Sequence, residues 1–447
     1  MLDATFSRPD LDAFCRLDTL GLTVVGQQLD GGRAVLACRV AAPSDPDAED
    51  RWGRACGGGS RPRDTVVRRL AHVPFGWRPT VLLVRLRRYV CTGCGRVWRQ
   101  DLDRAAPARS KLSRDAVLWA LKSLVIDRLS VARIAAALAV AWHTVNDAVL
   151  TAGRELLIAD PTRLHGVQVI GVDEHCWRHP RGQQTRDVER FVTVIIDLTP
   201  VRNGTGPARL LDLVEGRSKA VFTAWLQSQT AAFRTGLQVV AMDGFTDFKT
   251  ATSEALPDAV AVMDPFHVVA LAGDALERCR QRVQQQTLGH RGRSGDPLYG
   301  IRRRLRTGAD LLDPHQLDRL DAVLGIEQHL AVAVTWSVYQ RIIAAYRQPD
   351  RGRGKTALTA LIASLRRGVP AALPELATLG RTLHRRAADV LAYFERPGTS
   401  NGPTEAINGR LEHLRGTALG FRNLTHYTAR ALLECGGFRP ALHRLLR

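Results

Sequence analysis

The chain has 447 residues, which at roughly 100 to 200 residues per domain predicts several domains and excludes a single compact core. Its 63 basic and 44 acidic residues give a formal net charge of +19, which favours a polyanion such as nucleic acid as the partner. The first residues lack the basic and apolar regions of a signal peptide, and no later stretch reaches the length of a membrane span, so we expect a cytoplasmic protein without membrane contact. The eight cysteines are too few and too scattered for a secreted disulfide scaffold.

Two short regions are predicted at the N-terminal end. Residues 1–50 form an N-terminal segment that ends in the acidic, proline-bearing sequence APSDPDAED. Residues 51–105 follow as a degenerate zinc-ribbon-like unit, in which the strand-like sequence PTVLLVRLRRYV leads into CTGC. Its candidate zinc ligands are Cys56, Cys91 and Cys94.

The ligand set of this ribbon is incomplete. Structural Zn²⁺ takes four ligands, and a first CxxC pair would need a cysteine at the position of Gly53. Either Cys38 or His72 supplies the missing ligand, or the ribbon folds without metal, and the sequence leaves these alternatives open.

Residues 110–160 show the spacing of a helix-turn-helix DNA-binding domain. Ser130 is placed to cap one amphipathic helix, and a second helix begins after a short turn, around His143. In such a unit the second helix lies in the major groove of DNA, where it would present His143, Thr144 and Asn146 to the bases. An ordinary pair of alanine-rich amphipathic helices gives a similar pattern.

Residues 165–270 are rich in strand-like sequence. The pattern predicts three strands in succession, which pair antiparallel, and then a helix, a strand, a helix and a strand. Asp173 lies on the first strand, in VIGVDEH, and Asp243 lies just past the fourth, in LQVVAMDGF. If a crossover places the first and fourth strands side by side, these two carboxylates meet.

Residues 271–394 are predicted to form an all-helical insertion. Arginine is frequent there, in LERCRQRVQQQ and YGIRRRLRTG, and these side chains either follow DNA or only keep the helix surfaces solvated. Residues 395–447 then carry Glu405 in the first turn of a helix, in SNGPTEAIN.

Together, Asp173, Asp243 and Glu405 predict a site for Mg²⁺ or Mn²⁺, because hard oxygen ligands suit these ions. Two such ions about 3.5 to 4 Å apart activate an attacking oxygen and stabilise a leaving oxygen in phosphodiester chemistry. Asp173 is expected to bridge both ions, and the other two carboxylates each to complete one shell. Taken singly, each residue also fits a turn or a helix cap, so the prediction depends on their combined placement.

Four segments resemble transposases of bacterial insertion sequences, specifically the ISL-three family with its DDE catalytic triad: VIGVDEHCWRH, VVAMDGFTDFKTA, AVMDPFHVV and SNGPTEAINGRLEHLRGTALGFRN. The resemblance implies an α/β, ribonuclease H-like mixed sheet with an all-helical insertion, whose two parts are residues 165–270 and 395–447. It implies that Asp173, Asp243 and Glu405 are the catalytic residues. The implied partner is double-stranded DNA, both the terminal inverted repeats of the element and the target, bound by a homo-oligomer.

Two further positions are candidate DNA-binding residues. Relatives of this fold with helical insertions often carry a C/D-x-x-H pair after the second catalytic Asp, and Asp264 and His267 in DPFH match it, with a role toward the target strand or the scissile phosphate. Alternatively, Asp264 only caps a helix that starts at Pro265. Asn408, one turn past Glu405, is expected to orient that carboxylate or to contact DNA.

The leading hypothesis is therefore a DNA transposase that cleaves DNA at insertion-sequence ends and transfers the strands. One alternative keeps the fold and the metals in a structure-selective nuclease that does not join strands. The other is a DNA-binding regulator, in which the helix-turn-helix carries the function and the carboxylates are caps.

Overall fold

The computed structural model describes residues 10–41, 59–178, 190–244 and 246–446. The chain divides into two compact units. The described residues of 1–163 and 437–447 form the first unit, and those of 164–436 form the second.

The first unit combines a five-stranded sheet with short helices. In chain order its elements are α1 (Leu11–Phe14), β1 (Leu22–Asp30), β2 (Arg33–Val40), β3 (Ser60–Phe75), β4 (Arg78–Cys91), β5 (Val97–Arg99), α2 (Arg114–Val125), α3 (Val131–Leu138) and α4 (Trp142–Gly153).

The strands of this sheet follow the order β1-β2-β4-β3, with β5 paired to β4. Among the strands that the structure describes in this sheet, only β2 and β4 pair parallel. Along β4, alternate side chains such as Leu82, Val84 and Leu86 are fully buried in a core, while Arg85 and Arg87 are exposed. The sheet therefore has one apolar face and one basic face.

His72 is wrong as a ligand for the CTGC turn. His72 pairs with Thr80 at one end of the β3–β4 hairpin, whereas Cys91 pairs with Ser60 at the other, so positions 60 and 72 of β3 lie roughly 40 Å apart. Burial lowers the pKa of His72 to about 4, and its Nδ1 lies 2.8 Å from the Oγ of Ser113. The imidazole is a structural group of the core.

Cys38 is wrong as a ligand for the same reason. It pairs with Val84, seven positions before Cys91 on β4, which is roughly 23 Å along the strand, and its side chain is buried in the core. In the CTGC turn the amide of Cys94 donates to the Sγ of Cys91 at 3.5 Å. Cys56 lies outside the described residues, and within the described ranges no three His, Cys, Asp or Glu side chains form a group that could hold a metal ion.

The helices α3 and α4 form at the predicted helix pair. The Ser130 side chain caps α3 by accepting from the amide of Arg133, and Ala139 ends it with a left-handed φ of 51°. Ile134 and Leu138 of α3 are buried, as are Val145 and Val149 of α4. Among the described residues, no single helix is long and apolar enough to cross a membrane; Val131–Leu138 with Trp142–Ile158, bent by 112°, passes that test only as a pair, by length and composition.

The second unit starts with a mixed α/β segment. Its elements are β6 (Val169–Cys176), β7 (Phe191–Asp197), α5 (Thr199–Arg202), β8 (Arg209–Glu215), α6 (Lys219–Ser228), α7 (Ala231–Gly236), β9 (Val239–Met242), α8 (Thr246–Ala255) and β10 (Val260–Met263).

The second sheet has the strand order β10-β9-β6-β7-β8. The first three strands in sequence, β6, β7 and β8, pair antiparallel, and β9 and β10 are added in parallel beside β6. The first and fourth strands in sequence, β6 and β9, are neighbours, with Val172 opposite Met242, which meets the condition under which Asp173 and Asp243 were expected to lie together. On one face, Ile170, Val172 and Val240 pack with Phe222 and Phe248 in a closed apolar core.

The rest of the second unit is helical over its described residues, as its sequence predicts. Its helices are α9 (Pro265–Leu288), α10 (Pro297–Gly300), α11 (Arg302–Leu305), α12 (Pro314–Leu324), α13 (Leu330–Arg347), α14 (Arg351–Arg367), α15 (Pro374–Arg385), α16 (Ala387–Glu395), α17 (Gly402–Thr417) and α18 (Leu424–Cys435). The helices α9 to α16 share a core that includes Leu276, Ile342 and Leu358. The last helix, α19 (Arg439–Leu445), belongs to the first unit.

Candidate active site

Asp173 lies on β6, at the centre of the second sheet, and is only 8% exposed. Both of its carboxylate oxygens accept hydrogen bonds: Oδ1 from the amide of Glu174 at 2.8 Å and Oδ2 from the Nδ2 of Asn408 at 2.9 Å. The side chain of the neighbouring Glu174 forms an ion pair with Arg217, with 3.2 Å between its Oε2 and the Nη1 of the arginine. A buried carboxylate that accepts two hydrogen bonds is held in one orientation.

Gly171 lets α17 approach the sheet beside Asp173. These two residues point to the same face of β6, since they are two positions apart. A Cβ at Gly171 would lie 2.7 Å from the Oγ1 of Thr404, 2.9 Å from the Cγ1 of Ile196 and 3.0 Å from the Oδ1 of Asn401. Only a residue without a side chain therefore allows the start of α17 to pack at this distance.

Asp243 directly follows β9, the parallel neighbour of β6, and is half-buried. Burial raises the pKa of Asp173 to about 7, and the negative charges of Asp243, Glu405 and Glu174 act in the same direction, against the hydrogen bond from the Glu174 amide. The three predicted acids are therefore electrostatic neighbours in the folded chain.

Glu405 lies in the first turn of α17 and is exposed. It comes close enough to act on the pKa of Asp173. The part of the chain that the structure describes nevertheless contains no closed set of three ligands at metal-binding distances, here or elsewhere. The fold brings the acids together as neighbours and not as a finished coordination shell.

Asp264 has two structural roles at this site. One of them is the helix cap that the sequence analysis gave as an alternative to DNA binding. Its Oδ2 accepts from the amide of Phe266 and caps α9. Its Oδ1 accepts from the amide of Asn401 at 2.8 Å and from the Oγ of Ser400 at 3.1 Å. The buried carboxylate therefore fastens the turn before α17, and with it the helix of Glu405, to the start of α9.

His267 lies against the backbone that follows Asp243. A Cβ at Gly244 would be 2.6 Å from the Cδ2 of His267 and 3.0 Å from the Cε of Met263. A side chain at Gly244 would therefore require His267 or Met263 to shift. The histidine of DPFH is brought to the Asp243 loop, although this contact does not by itself test a role in DNA binding.

Asn408 contacts a different carboxylate from the one expected. Its Nδ2 donates to Asp173 rather than to Glu405 on its own helix. Its buried Oδ1 has no hydrogen-bond partner among the described residues. Asn408 therefore links α17 to β6 across the sheet.

Sequence reasoning missed a clamp on the Asp243 loop, formed by Asp389 of α16 and by Arg386, the residue immediately before that helix. The Nη1 of Arg386 donates to the carbonyl of Gly244 at 3.1 Å, and its Nε donates to Asp389 at 2.6 Å. Asp389 also pairs at 2.8 Å with Lys249, on the helix that follows the loop. Arg386 and Asp389 are each 5% exposed. The spacing of three residues is their only local signal, and it is shared by many surface pairs.

A cluster of rings holds α18 near the end of β6. The hydroxyl of Tyr427 lies 2.9 Å from the Nε2 of His175, and the Tyr427 ring stacks on Trp177 at 5.9 Å. Phe421, from the GFRN sequence, meets the same tyrosine edge-on at 5.0 Å. These contacts give the GFRN block a packing role in the second unit.

In the first unit, α4 exposes only part of the predicted base-reading set. His143 is exposed and Thr144 is partly exposed. The expectation for Asn146 is wrong in this structure, because the side chain is buried at 5% exposure, next to the core positions Val145 and Val149. Helical periodicity turns Asn146 inward, since it is one residue from Val145 and three from Val149.

Residues 170–431 match the model of a family described as transposase, the ISL3 type of DDE transposases. The chain belongs to this family. The matched range contains Asp173, Asp243 and Glu405, together with Asp264 and the Arg386 clamp.

Two relatives agree with the family match. The transposase for insertion sequence element IS1557 of Mycobacterium tuberculosis is 27% identical over 328 residues, which cover 68% of each chain. The transposase for insertion sequence element IS1001 of Bordetella parapertussis is 24% identical over 386 residues, which cover 86% of this chain and 88% of the relative. The protein is accordingly a DNA transposase.

Proposed function

We propose that the second unit is a ribonuclease H-like catalytic domain, which cleaves DNA at the ends of an insertion sequence and transfers the strands to target DNA. The observation that carries this proposal is the placement of Asp173 on β6 and of Asp243 directly after β9, the parallel neighbour of β6, with the helix of Glu405 joined to Asp173 through Asn408. The mixed strand order and the helices between β10 and α17 support the same assignment.

The three acids fit divalent cations in chemistry. Asp173 is buried beside two other carboxylates, and this mutual repulsion is relieved when a cation binds between them. Because Glu405 is exposed, its side chain can change rotamer without disturbing the core. We propose that these residues hold two Mg²⁺ or Mn²⁺ ions, which when bound would supply activation of the attacking oxygen and charge stabilisation on the leaving oxygen.

The chain's own contribution is to hold the carboxylates in place. Asn408 orients Asp173, Asp264 fastens the turn before Glu405, and Arg386 fixes the carbonyl next to Asp243. Ligands that are already held in position need no rearrangement during the reaction. Holding them there is the contribution of the protein scaffold to phosphodiester chemistry.

The first unit is proposed to bind the ends of the element. The bend of 112° between α3 and α4 lies within the range of helix-turn-helix units, and His143 and Thr144 are accessible on α4. The basic sheet face adds phosphate contacts. Zinc held by Cys56, Cys91 and Cys94 stays a prediction, which metal analysis of wild type against Cys91→Ser and Cys94→Ser would test. We also propose that a homo-oligomer acts on paired ends.

The substitution Asp243→Asn tests the catalytic assignment. We expect it to keep binding to double-stranded end DNA but to lose cleavage in Mg²⁺ by on the order of a thousandfold, since metal-assisted charge stabilisation supplies several kcal/mol. The matched control is Asp258→Asn, at an exposed turn before β10, which should cleave like wild type. Retained cleavage by Asp243→Asn would overturn the assignment.

The same assay separates the alternatives. A wild-type protein that cleaves but never joins the released 3′ ends to target DNA would be a nuclease. One that binds DNA but does not cleave it in Mg²⁺ or Mn²⁺ would be a regulator.

A further inference from the structure

A pocket of about 430 Å³ opens at the first turn of α9, immediately after Asp264. Most of its lining is apolar or aromatic. The side chains that form its walls include Phe266, Val269, Leu311, Tyr339, Ile343 and Tyr346.

The rim of this pocket is unusual for a protein surface. Phe266 is 71% exposed and Leu311 is 65% exposed, so two large apolar side chains stand in water at its mouth. The pocket thus combines an aromatic platform with apolar walls.

A basic cavity of about 670 Å³ adjoins the pocket and shares Thr307 and Leu311 with it. Arg302, Arg303 and Arg304 of α11 line this second cavity. Within the described ranges, Arg303 and Arg304 have no carboxylate partner. By contrast, the two arginines of the apolar pocket are neutralised: Arg306 by Asp274 and Arg347 by Asp310. The excess positive charge therefore lies on one side of the apolar space.

The pocket is connected to the catalytic residues through one short turn. Asp264 accepts the amide of Phe266 with one oxygen and the amide of Asn401, four residues before Glu405, with the other. His267, the next residue after Phe266, lies against Gly244 beside Asp243. In the first turn of α9, His267 thus lies next to the loop of Asp243, while Phe266 lines the pocket.

We propose that the two cavities together bind one unpaired nucleotide of the DNA substrate, with its base against Phe266 in the apolar pocket and its phosphate at Arg303 and Arg304. The inference rests on the proposed DNA cleavage function. An aromatic platform beside unpaired arginines is the combination that binds single-stranded DNA, because every base has a flat apolar face and every nucleotide carries one negative charge. This nucleotide would adjoin the scissile phosphate, because the first turn of α9 that forms the pocket also contacts the turn before Glu405 and the loop of Asp243.

The test uses the full-length protein in EDTA, so that no cleavage occurs, and two single-stranded probes of equal length and charge. One probe is a thymidine oligonucleotide, and the other has stable abasic sites at the same phosphates. We expect wild type to prefer the thymidine probe about tenfold, in line with the stacking free energy of one base, and Phe266→Ala to lose this preference. The double variant Arg303→Ala, Arg304→Ala should weaken the binding of both probes equally.

The matched control is Leu330→Ala, which removes a 62% exposed side chain on the same group of helices but outside the pocket. It should retain the preference. A benzophenone side chain at position 266 should crosslink more to the thymidine probe than to the abasic one, and more than the same side chain placed at position 330.

Equal affinity of wild type for both probes, or an unchanged preference in Phe266→Ala, would overturn the proposal. So would a change of oligomeric mass in Phe266→Ala without a change in preference, because the pocket would then receive a second copy of the chain. Failure of the catalytic assignment is seen separately, in the cleavage assay of Asp243→Asn.

Discussion

Like charges gather on both sheets of this protein, in opposite surroundings. On the first sheet, Arg39 of β2 pairs in register with Arg85 of β4, and Arg87 follows on the same face. All three guanidinium groups are exposed to water. On the second sheet, Asp173 is buried beside two other carboxylates, and its pKa is raised to about 7.

The difference shows how burial decides what a cluster of like charge does. Water and salt screen the exposed arginines, so their repulsion costs little and the charge remains available to phosphates. The buried carboxylate loses its hydration, so repulsion from its neighbours becomes a cost to the folded state. The first arrangement suits reversible contact with a polyanion, and the second suits capture of cations.

The largest effect is expected from the clamp that holds the buried cluster. Arg386→Ala removes the donor to Gly244 and leaves Asp389 buried with Lys249 alone, so we expect the free energy of unfolding to fall by about 3–5 kcal/mol. In the folded fraction, the Mg²⁺ concentration needed for cleavage should rise, since the Asp243 loop is no longer fixed. Arg385→Ala, at the exposed neighbouring position, is the control. An unchanged Mg²⁺ dependence would show that the clamp serves stability only.

The next effect concerns pH. The folded chain binds a proton on Asp173 more tightly than the unfolded chain, so the contribution of this carboxyl to stability in EDTA should be fully present below about pH 4 and should be lost as pH rises from about 4 to 7. The fall should be on the order of 2–4 kcal/mol, since one pKa unit corresponds to about 1.4 kcal/mol. Chemical denaturation across this range measures it.

Asp173→Asn is the matching variant. It should remove the fall and so be more stable than wild type at pH 8, although it abolishes cleavage. If the free energy of unfolding of this variant depends on pH as that of wild type does, burial of the acidic cluster does not destabilise the folded chain. The contrast between the exposed arginines and the buried carboxylates would then be wrong.

A smaller effect is expected where α17 meets the sheet. Gly171→Ala places a methyl group 2.7 Å from the Oγ1 of Thr404, so either α17 or β6 must shift, at about 1–3 kcal/mol. Because the shift moves Asn408 away from Asp173, cleavage should fall more than binding to DNA. Gly409→Ala, at a position of α17 with open space around the Cβ, is the control and should be neutral or slightly stabilising.

The smallest effect on stability is expected on the basic sheet. Arg85→Ala or Arg87→Ala should change the free energy of unfolding by less than about 0.5 kcal/mol, because these side chains are exposed. If the arginine contacts a phosphate, its removal should reduce the slope of the logarithm of DNA affinity against the logarithm of salt concentration by about one. An unchanged salt dependence in both variants would remove this face from the DNA interface.

Local patterns in the sequence were sufficient for much of the candidate site. Asp173 and Asp243 end apolar, β-branched runs, and such runs predict buried strands without knowledge of the fold. The right-handed crossover rule only permitted β6 and β9 to be neighbours, and the strand register shows that they are. Glu405 followed from its place in the first turn of a helix and from the family resemblance.

The zinc ligands show where such patterns stop. Cys38 and His72 were chosen by residue type, but both lie on long strands whose register takes them far from CTGC. Residue type identifies a donor atom, whereas a coordination site also needs a distance, and the register of a sheet is set by its whole apolar face. Asn146 failed in the same way, because a single turn of helix decides which side chains face the core.

The sequence by itself therefore determined which acids are available, the elements that carry them and the order of the strands and helices along the chain, since each depends on residues close together in the chain. Only the tertiary structure decided what holds the acids in place. The contacts of Gly244 with Arg386, of Asn401 with Asp264 and of Asn408 with Asp173 join residues more than a hundred positions apart. They depend on close packing over Gly171 and Gly244, which no local periodicity records.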